Sequence, residues 1–422
     1  MFKKYTLPNG LRLILAPMEG AQSVTVLVLV ATGSKYETKE INGISHFLEH
    51  MFFKGTKKRP TNMEIASVLD SVGGAYNAFT DKEMTGYWAK VDAKHFDLAL
   101  DWVADIFLNS KIEAEEVERE KGVILEEINM YLDTPMRYIG DLWEQLLYGD
   151  QPAGWMIAGE KEIIKKLAQP QFIKYLASQY VAKNTIVVVA GSDKQVQSSK
   201  FKVQSFFKEI KAGNLKNKLK AIEKQNQPGL KVHFKETDQT HLIIGCRGYN
   251  IFDKNRYPAA LLGTILGGYM SSRLWTEVRE RRGLAYYVRA AHENYTDTGY
   301  LAASAGVDNK RIEEAIKVIL DEFKKTKEQK IPEAEIKKAK DHIRGATLLS
   351  LESSDEVASY LGGQEVLKKE ILLPEEFFKK IEAVTAKDLQ RVAREIFRPE
   401  KLNLALIGPF KEKERFEKLL KI

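Results

Sequence analysis

Cysteine is almost absent: the chain of 422 residues has one, Cys246, so no internal disulfide can form. That suits a reducing, cytoplasmic setting. Cys246 lies in the apolar, strand-like run from His241, which reads as a packed thiol rather than a reactive one. Long hydrophobic runs are also missing. None approaches the ~20 residues that a membrane-spanning helix needs, and no membrane partner is expected. Residues Met1 to Gly10 carry two lysines but no apolar signal core, and they turn at Pro8-Asn9-Gly10, so no signal peptide is read there. A basic stripe is missing too, although the net charge is +7. Lysines interleave with glutamates, as in Lys208-Glu209-Ile210-Lys211 and Glu375-Glu376-Phe377-Phe378-Lys379-Lys380. That is the pattern of solvated helix faces, and nucleic acid is not an expected partner.

What is present centres on His46-Phe47-Leu48-Glu49-His50. The apolar spacing of Ile44, Phe47, Leu48, Met51 and Phe52 predicts a helix with one buried face. Residues three and four apart share a helix face, so His46, Glu49 and His50 project together. Two histidines one turn apart can hold zinc, and a carboxylate beside them can take a proton from a water that the ion activates. The order H-x-x-E-H is the inverzincin motif. The plainer reading is a chance match on a core helix. Burying these groups unpaired would cost about 2–7 kcal/mol for each polar group, which favours a metal.

The remaining pattern is α+β. Residues up to Val30 read as strands. Thr61-Asn62-Met63-Glu64 fits a capping box opening a second helix. Ala75 to Phe79 and Thr85 to Val91 read as strands, Phe96 to Phe107 and Ala114 to Leu132 as helices with Pro135 as a stop, and Thr185 to Ala190 as a buried strand. The stretch from Lys211 to Gly229 is polar and broken by Ala212-Gly213 and Pro228-Gly229, as a linker would be. Beyond it the order repeats. Gly74-Ala75-Tyr76-Asn77 and Thr85-Gly86-Tyr87 are echoed by Gly283-Leu284-Ala285-Tyr286 and Thr298-Gly299-Tyr300. Ile112 to Val117 is echoed by Ile331 to Ile336, and the strand ending at Gly191 by Leu402 to Ile407. We therefore expect two homologous domains, each a mainly antiparallel sheet with helices packed on it, spanning 1–212 and 230–422 with 213–229 between them. The second copy has Leu262-Gly263-Thr264-Ile265-Leu266-Gly267-Gly268-Tyr269-Met270 where the motif would fall, so only the first half can carry a metal.

A catalytic zinc has three protein ligands and an open position. The helix Ala114 to Leu132 has an apolar stripe of Val117, Ile124, Ile128 and Tyr131. Glu120 and Glu127 fall on that stripe, whereas Glu126 lies about 100° away. Register favours Glu120 and Glu127 over Glu126, and it leaves open a tilted helix whose two glutamates both reach solvent.

The motif, with Glu127 following His50 by 77 positions within Glu120-Lys121-Gly122-Val123-Ile124-Leu125-Glu126-Glu127, resembles the pitrilysin family of zinc peptidases. His50-Met51-Phe52-Phe53-Lys54-Gly55-Thr56 is similar to its half-length, processing-peptidase branch. The resemblance covers essentially the whole chain. It implies one zinc per chain on His46, His50 and Glu127, with Glu49 as general base and Glu120 orienting a ligand. It implies a dimeric chamber cutting unfolded peptides or presequence-like segments. That chamber would be a homodimer or a heterodimer with a paralogous chain. Ala75, Asn77, Ala78 and Phe79 lie in what resembles the substrate-binding edge strand. Arg279 and Tyr286, seven apart, match a substrate-binding Arg/Tyr pair. Without the resemblance they read as a surface arginine and a core tyrosine. This fold also serves as non-catalytic core or docking subunits, but those lose zinc-site residues and this chain retains them.

Overall fold

The computed structural model describes residues 2–213 and 217–422. Residues 214–216 of the expected linker lie outside the described residues. Two compact units emerge. One comprises Met1–Asn129, Met156–Leu219 and Leu348–Ile371, the other Met130–Trp155, Lys220–Thr347 and Leu372–Ile422. The expected linker is therefore one of several passages between units.

The first unit holds six strands: β1 (Lys3–Thr6), β2 (Arg12–Met18), β3 (Ser23–Val30), β4 (Ala75–Thr80), β5 (Thr85–Asp92) and β6 (Thr185–Ser192), in the order β1-β2-β6-β3-β5-β4. The second holds β7 (Gly229–Phe234), β8 (Gln239–Arg247), β9 (Ala285–Asn294), β10 (Gly299–Asp308) and β11 (Leu402–Gly408), in the order β7-β11-β8-β10-β9. Removing β1 makes the two orders equivalent. Each sheet has one parallel pair, β2/β6 and β7/β11, and its other pairs are antiparallel. The repeated fragments thus belong to a duplicated α+β domain.

Side chains alternate between faces along a strand. In the first sheet Ile14, Leu27, Leu29, Ile186 and Val188 pack against Ala358, Leu361 and Val366 of the helix Ser354–Lys368. That helix comes from the second half of the sequence. A Cβ at Gly362 would lie 2.6 Å from Leu29 Cδ1, so glycine permits this close approach. The opposite parity, including Leu13, Val26, Val28 and Val187, is fully buried as well. Covering both faces explains why β3 and β6 are nearly continuous apolar runs rather than alternating ones. The second unit likewise takes in the helix Pro135–Tyr148 from the first half. Pro135 therefore opens a helix at its first turn, where its missing N–H is no loss.

The motif forms the helix Ile44–Met51. Phe47 meets Phe172 edge-on, with ring centroids 4.9 Å apart. Phe52, just past the helix end, stacks on Tyr87 of β5 at 4.6 Å and meets Phe107 and Tyr180 edge-on. These contacts anchor the apolar face and turn His46, Glu49 and His50 the other way.

Candidate metal centre

The motif helix starts at Gly43, whose φ of +96° suits glycine. A Cβ there would lie 2.7 Å from the Ala158 carbonyl oxygen. Gly43 has no side chain with which to cap the helix, leaving its first N–H groups in need of acceptors. Glu37 supplies two of them. Its Oε2 accepts from Gly43 N–H at 2.7 Å and from Asn42 Nδ2 at 2.9 Å, and its Oε1 accepts from Ser45 N–H at 2.8 Å. Burial pushes the Glu37 carboxyl above its ordinary range, against the pull of those hydrogen bonds. Ser45 Oγ lies 2.8 Å from Tyr175 Oη, which lies 2.9 Å from Thr32 Oγ1. The residue beside His46 is thus fixed through both its backbone and its side chain.

Glu127 and Glu120 come from the helix Ala114–Asp133. Glu120 is buried, Glu127 half-buried and Glu126 exposed, so register identifies the inward-facing pair. His46 Nε2 lies 3.5 Å from Glu127 Oε1, and His50 Nε2 lies 3.3 Å from Glu127 Oε2. Among the described residues, these three form the one cluster of three or more His, Cys, Asp or Glu able to hold a metal, with one ligand atom each and all within 4.8 Å of one another. A tetrahedral zinc with bonds of about 2.0–2.1 Å separates adjacent ligand atoms by about 3.3–3.4 Å. The two imidazole–carboxylate distances, one to each Glu127 oxygen, lie near that spacing, and two nitrogens with one oxygen suit zinc.

The two imidazoles are supported differently. His50 Nδ1 lies 2.9 Å from Glu120 Oε1, and Lys54 Nζ lies 2.5 Å from Glu120 Oε2. His46 Nδ1 is buried without a hydrogen-bond partner among the described residues. Burial alone would lower the His50 pKa, but the Glu120 and Glu127 carboxylates outweigh it and raise it to about 9 in the metal-free chain. Burial would raise Glu120, but hydrogen bonds from His50 and Lys54 outweigh it and hold this carboxyl below its ordinary range. Glu49 is half-buried on the same helix.

β4 is the edge strand of its sheet, paired only with β5. Along it Ala75 and Asn77 are exposed, Phe79 is half-buried and Ala78 is buried. Asn77 Oδ1 accepts from Ala78 N–H at 2.9 Å. In the second unit Arg279 and Tyr286 meet. Arg279 sits in a π-helical turn, Trp275–Glu280, and its guanidinium lies 4.2 Å from the Trp275 ring centroid and 5.4 Å from that of Tyr286. Its Nη1 donates to the Tyr286 carbonyl at 2.8 Å. Tyr286 is 72% exposed, which rules out the core tyrosine of the plainer reading. Cys246 is buried, and burial pushes its thiol up to about 12. No helix among the described residues is long and apolar enough to cross a membrane.

Two supporting residues escaped sequence reasoning. Asn42-Gly43 signals a helix start lacking a strong side-chain cap, but it does not say that Glu37 supplies one. Lys54 stands four residues after His50, a spacing that could have pointed to it.

Comparison with known proteins agrees with this geometry. The family described as "Insulinase (Peptidase family M16)" matches residues 12–159, and "Peptidase M16 inactive domain" matches residues 166–343. An uncharacterized zinc protease of Bacillus subtilis, YmxG, is 37% identical, covering 97% of this chain and 98% of its own length. An uncharacterized zinc protease of Streptomyces coelicolor is 33% identical over 98% of this chain and 90% of its own. The solved structure of a protease from Helicobacter pylori superposes with a TM-score of 0.89 at 24% identity, covering 97% of this chain and 99% of that one, and so shares the fold.

The geometry makes Glu127 the shared contact of both imidazoles. Glu127→Gln should lose most bound zinc while the thermal unfolding midpoint stays close to the parent's. Full zinc occupancy in this variant, by metal analysis of the purified protein, would remove Glu127 from the ligand set.

Proposed function

Because the chain belongs to the insulinase family of peptidases, family M16, we propose that it is a zinc-dependent endopeptidase acting on unfolded peptides or presequence-like segments. The observation that carries this reading is the cluster of His46, His50 and Glu127, whose ligand atoms all lie within 4.8 Å of one another, with Glu49 on the same helix as the two histidines. His46, His50 and Glu127 would hold one zinc ion per chain. When bound, zinc would polarise a water molecule and the scissile carbonyl. Glu49 takes the proton of the attacking water and delivers it to the leaving amine. Glu120 orients His50 through Nδ1.

The substrate would add to the open edge of β4 as a further strand, with the backbone from Ala75 to Phe79 as its template. The exposure of Ala75 and Asn77 supports that role. Arg279 and Tyr286 would bind substrate backbone, and the Tyr286 hydroxyl would donate to the oxyanion. Their mutual contact and the exposure of Tyr286 support treating them as one substrate-binding pair. Two chains would close the chamber. A native mass of one chain in an active preparation would refute that pairing.

Glu49→Gln should keep zinc and bind peptide, yet turn over about 10²–10⁴-fold more slowly, the usual worth of a general base. Near-parent turnover in a quenched-peptide assay would end that assignment. Tyr286→Phe should lower kcat with zinc retained, by about 2.7–4 kcal/mol of barrier if the hydroxyl serves as an oxyanion donor. Arg279→Ala should raise KM at least as much as it lowers kcat. Parent rates in both variants would place the whole active site in the first unit.

A further inference from the structure

Lys54 lies beyond the motif and is neither a ligand nor a proton carrier in the mechanism above. We infer that Lys54 is a positioning residue that fixes the Glu120 carboxylate, and through it the tautomer and orientation of His50 toward the metal. The inference rests on the reading of His46, His50 and Glu127 as the zinc ligands.

The first support is the contact. Lys54 Nζ lies 2.5 Å from Glu120 Oε2, while Glu120 Oε1 lies 2.9 Å from His50 Nδ1. The Lys54 side chain is 23% exposed and that of Glu120 only 4%, so water competes little for this pair. Lys58 and Asp101 nearby, at 59% and 24%, are a contrasting solvated pair.

The second support is the backbone beneath it. After the motif helix the chain tightens through Phe53 N–H to His50 carbonyl at 3.1 Å and Lys54 N–H to Met51 carbonyl at 3.2 Å. Gly55 then takes a φ of +142°, and a Cβ there would lie 2.4 Å from the Pro60 carbonyl oxygen. Thr56 N–H donates to the Arg59 carbonyl at 2.7 Å, and Thr56 Oγ1 donates to Asp105 at 2.7 Å. Arg59 reaches the same Asp105 oxygen at 2.6 Å. Lys54 therefore stands on a turn fixed immediately on both sides and presents its amine to one carboxylate.

The chemistry follows from donor and acceptor counts. A lysine ammonium has donors only, so Glu120 Oε2 can only accept from it. An ionised carboxylate, which a neighbouring cation favours, only accepts at Oε1 as well, so the 2.9 Å contact draws its proton from His50 Nδ1. The Nε2 lone pair then faces Glu127 and the metal position, as an imidazole ligand needs. Without Lys54, the contact on its second oxygen is lost and the Glu120 carboxylate can rotate away from Nδ1.

The test measures zinc affinity of the full chain by competition with a chromophoric chelator, with circular dichroism to confirm folding. Lys54→Met should weaken zinc binding about tenfold, the low end of the 10–100-fold loss typical of outer-shell partners. Lys54→Arg, which keeps a donor-only cation, should stay near the parent. Glu120→Gln should weaken binding as much or more, and adding Lys54→Met to it should cost nothing further, because Lys54 acts through Glu120. If Lys54→Met fails to fold, Lys54→Gln takes its place throughout. Parent affinity in Lys54→Met, or a full additional loss in the double variant, overturns the inference. A parent chain that takes up no zinc overturns the ligand reading instead.

Discussion

Glu127 stands 3.5 and 3.3 Å from two imidazoles that belong to a different helix. Such a triad exists only if both helices hold their register and their end positions. Glu37 supplies three acceptor contacts at the start of the motif helix, around Gly43, and Phe52 locks its end into an aromatic cluster on β5. On the opposing helix, Val117, Ile124 and Ile128 are buried. That apolar stripe turns Glu120 and Glu127 inward. The polar groups of the site are therefore positioned by apolar packing, which lies on the far side of the motif helix and along the same face as Glu120 and Glu127 on the other. Buried polar groups without partners are expensive, so pairing these side chains with one another or with a metal stabilises the arrangement.

Duplication explains the rest of the chain. Both sheets share one strand order, yet the second copy lacks the histidines. Its helix Arg256–Gly267 packs closely on β9: Cβ atoms at Gly263 and Gly267 would lie 3.1 Å from His292 N and 2.1 Å from Ala290 N. Where that helix meets β9 it uses glycines rather than large polar side chains. The copy instead carries Arg279 bracketed between Trp275 and Tyr286 at the start of its edge strand. A π-turn at such a position is a common mark of a functional site.

Much of this was legible in sequence because periodicity reports which face is buried. The H-x-x-E-H spacing placed three groups on one helix face, and register alone separated Glu127 from the exposed Glu126. The capping box at Thr61 and Glu64 forms as its residues demand. Pairing across long separations was not legible. Nothing local ties Glu37 to the start of a helix six to eight residues later, and no period shows that Ser354–Lys368 packs on β3. Lys54 carries no role in the sequence reading, because its partner Glu120 lies on another helix.

The central claim is that the three-residue cluster holds the zinc ion of a peptidase. Its most direct test incubates the purified chain with a flexible peptide and identifies products by mass spectrometry, before chelation, after chelation and after zinc is returned. The account predicts internal cleavage that chelation abolishes and one equivalent of zinc per chain restores. Cleavage that persists in the fully zinc-free chain would contradict it, as would a zinc-loaded chain that leaves every peptide intact.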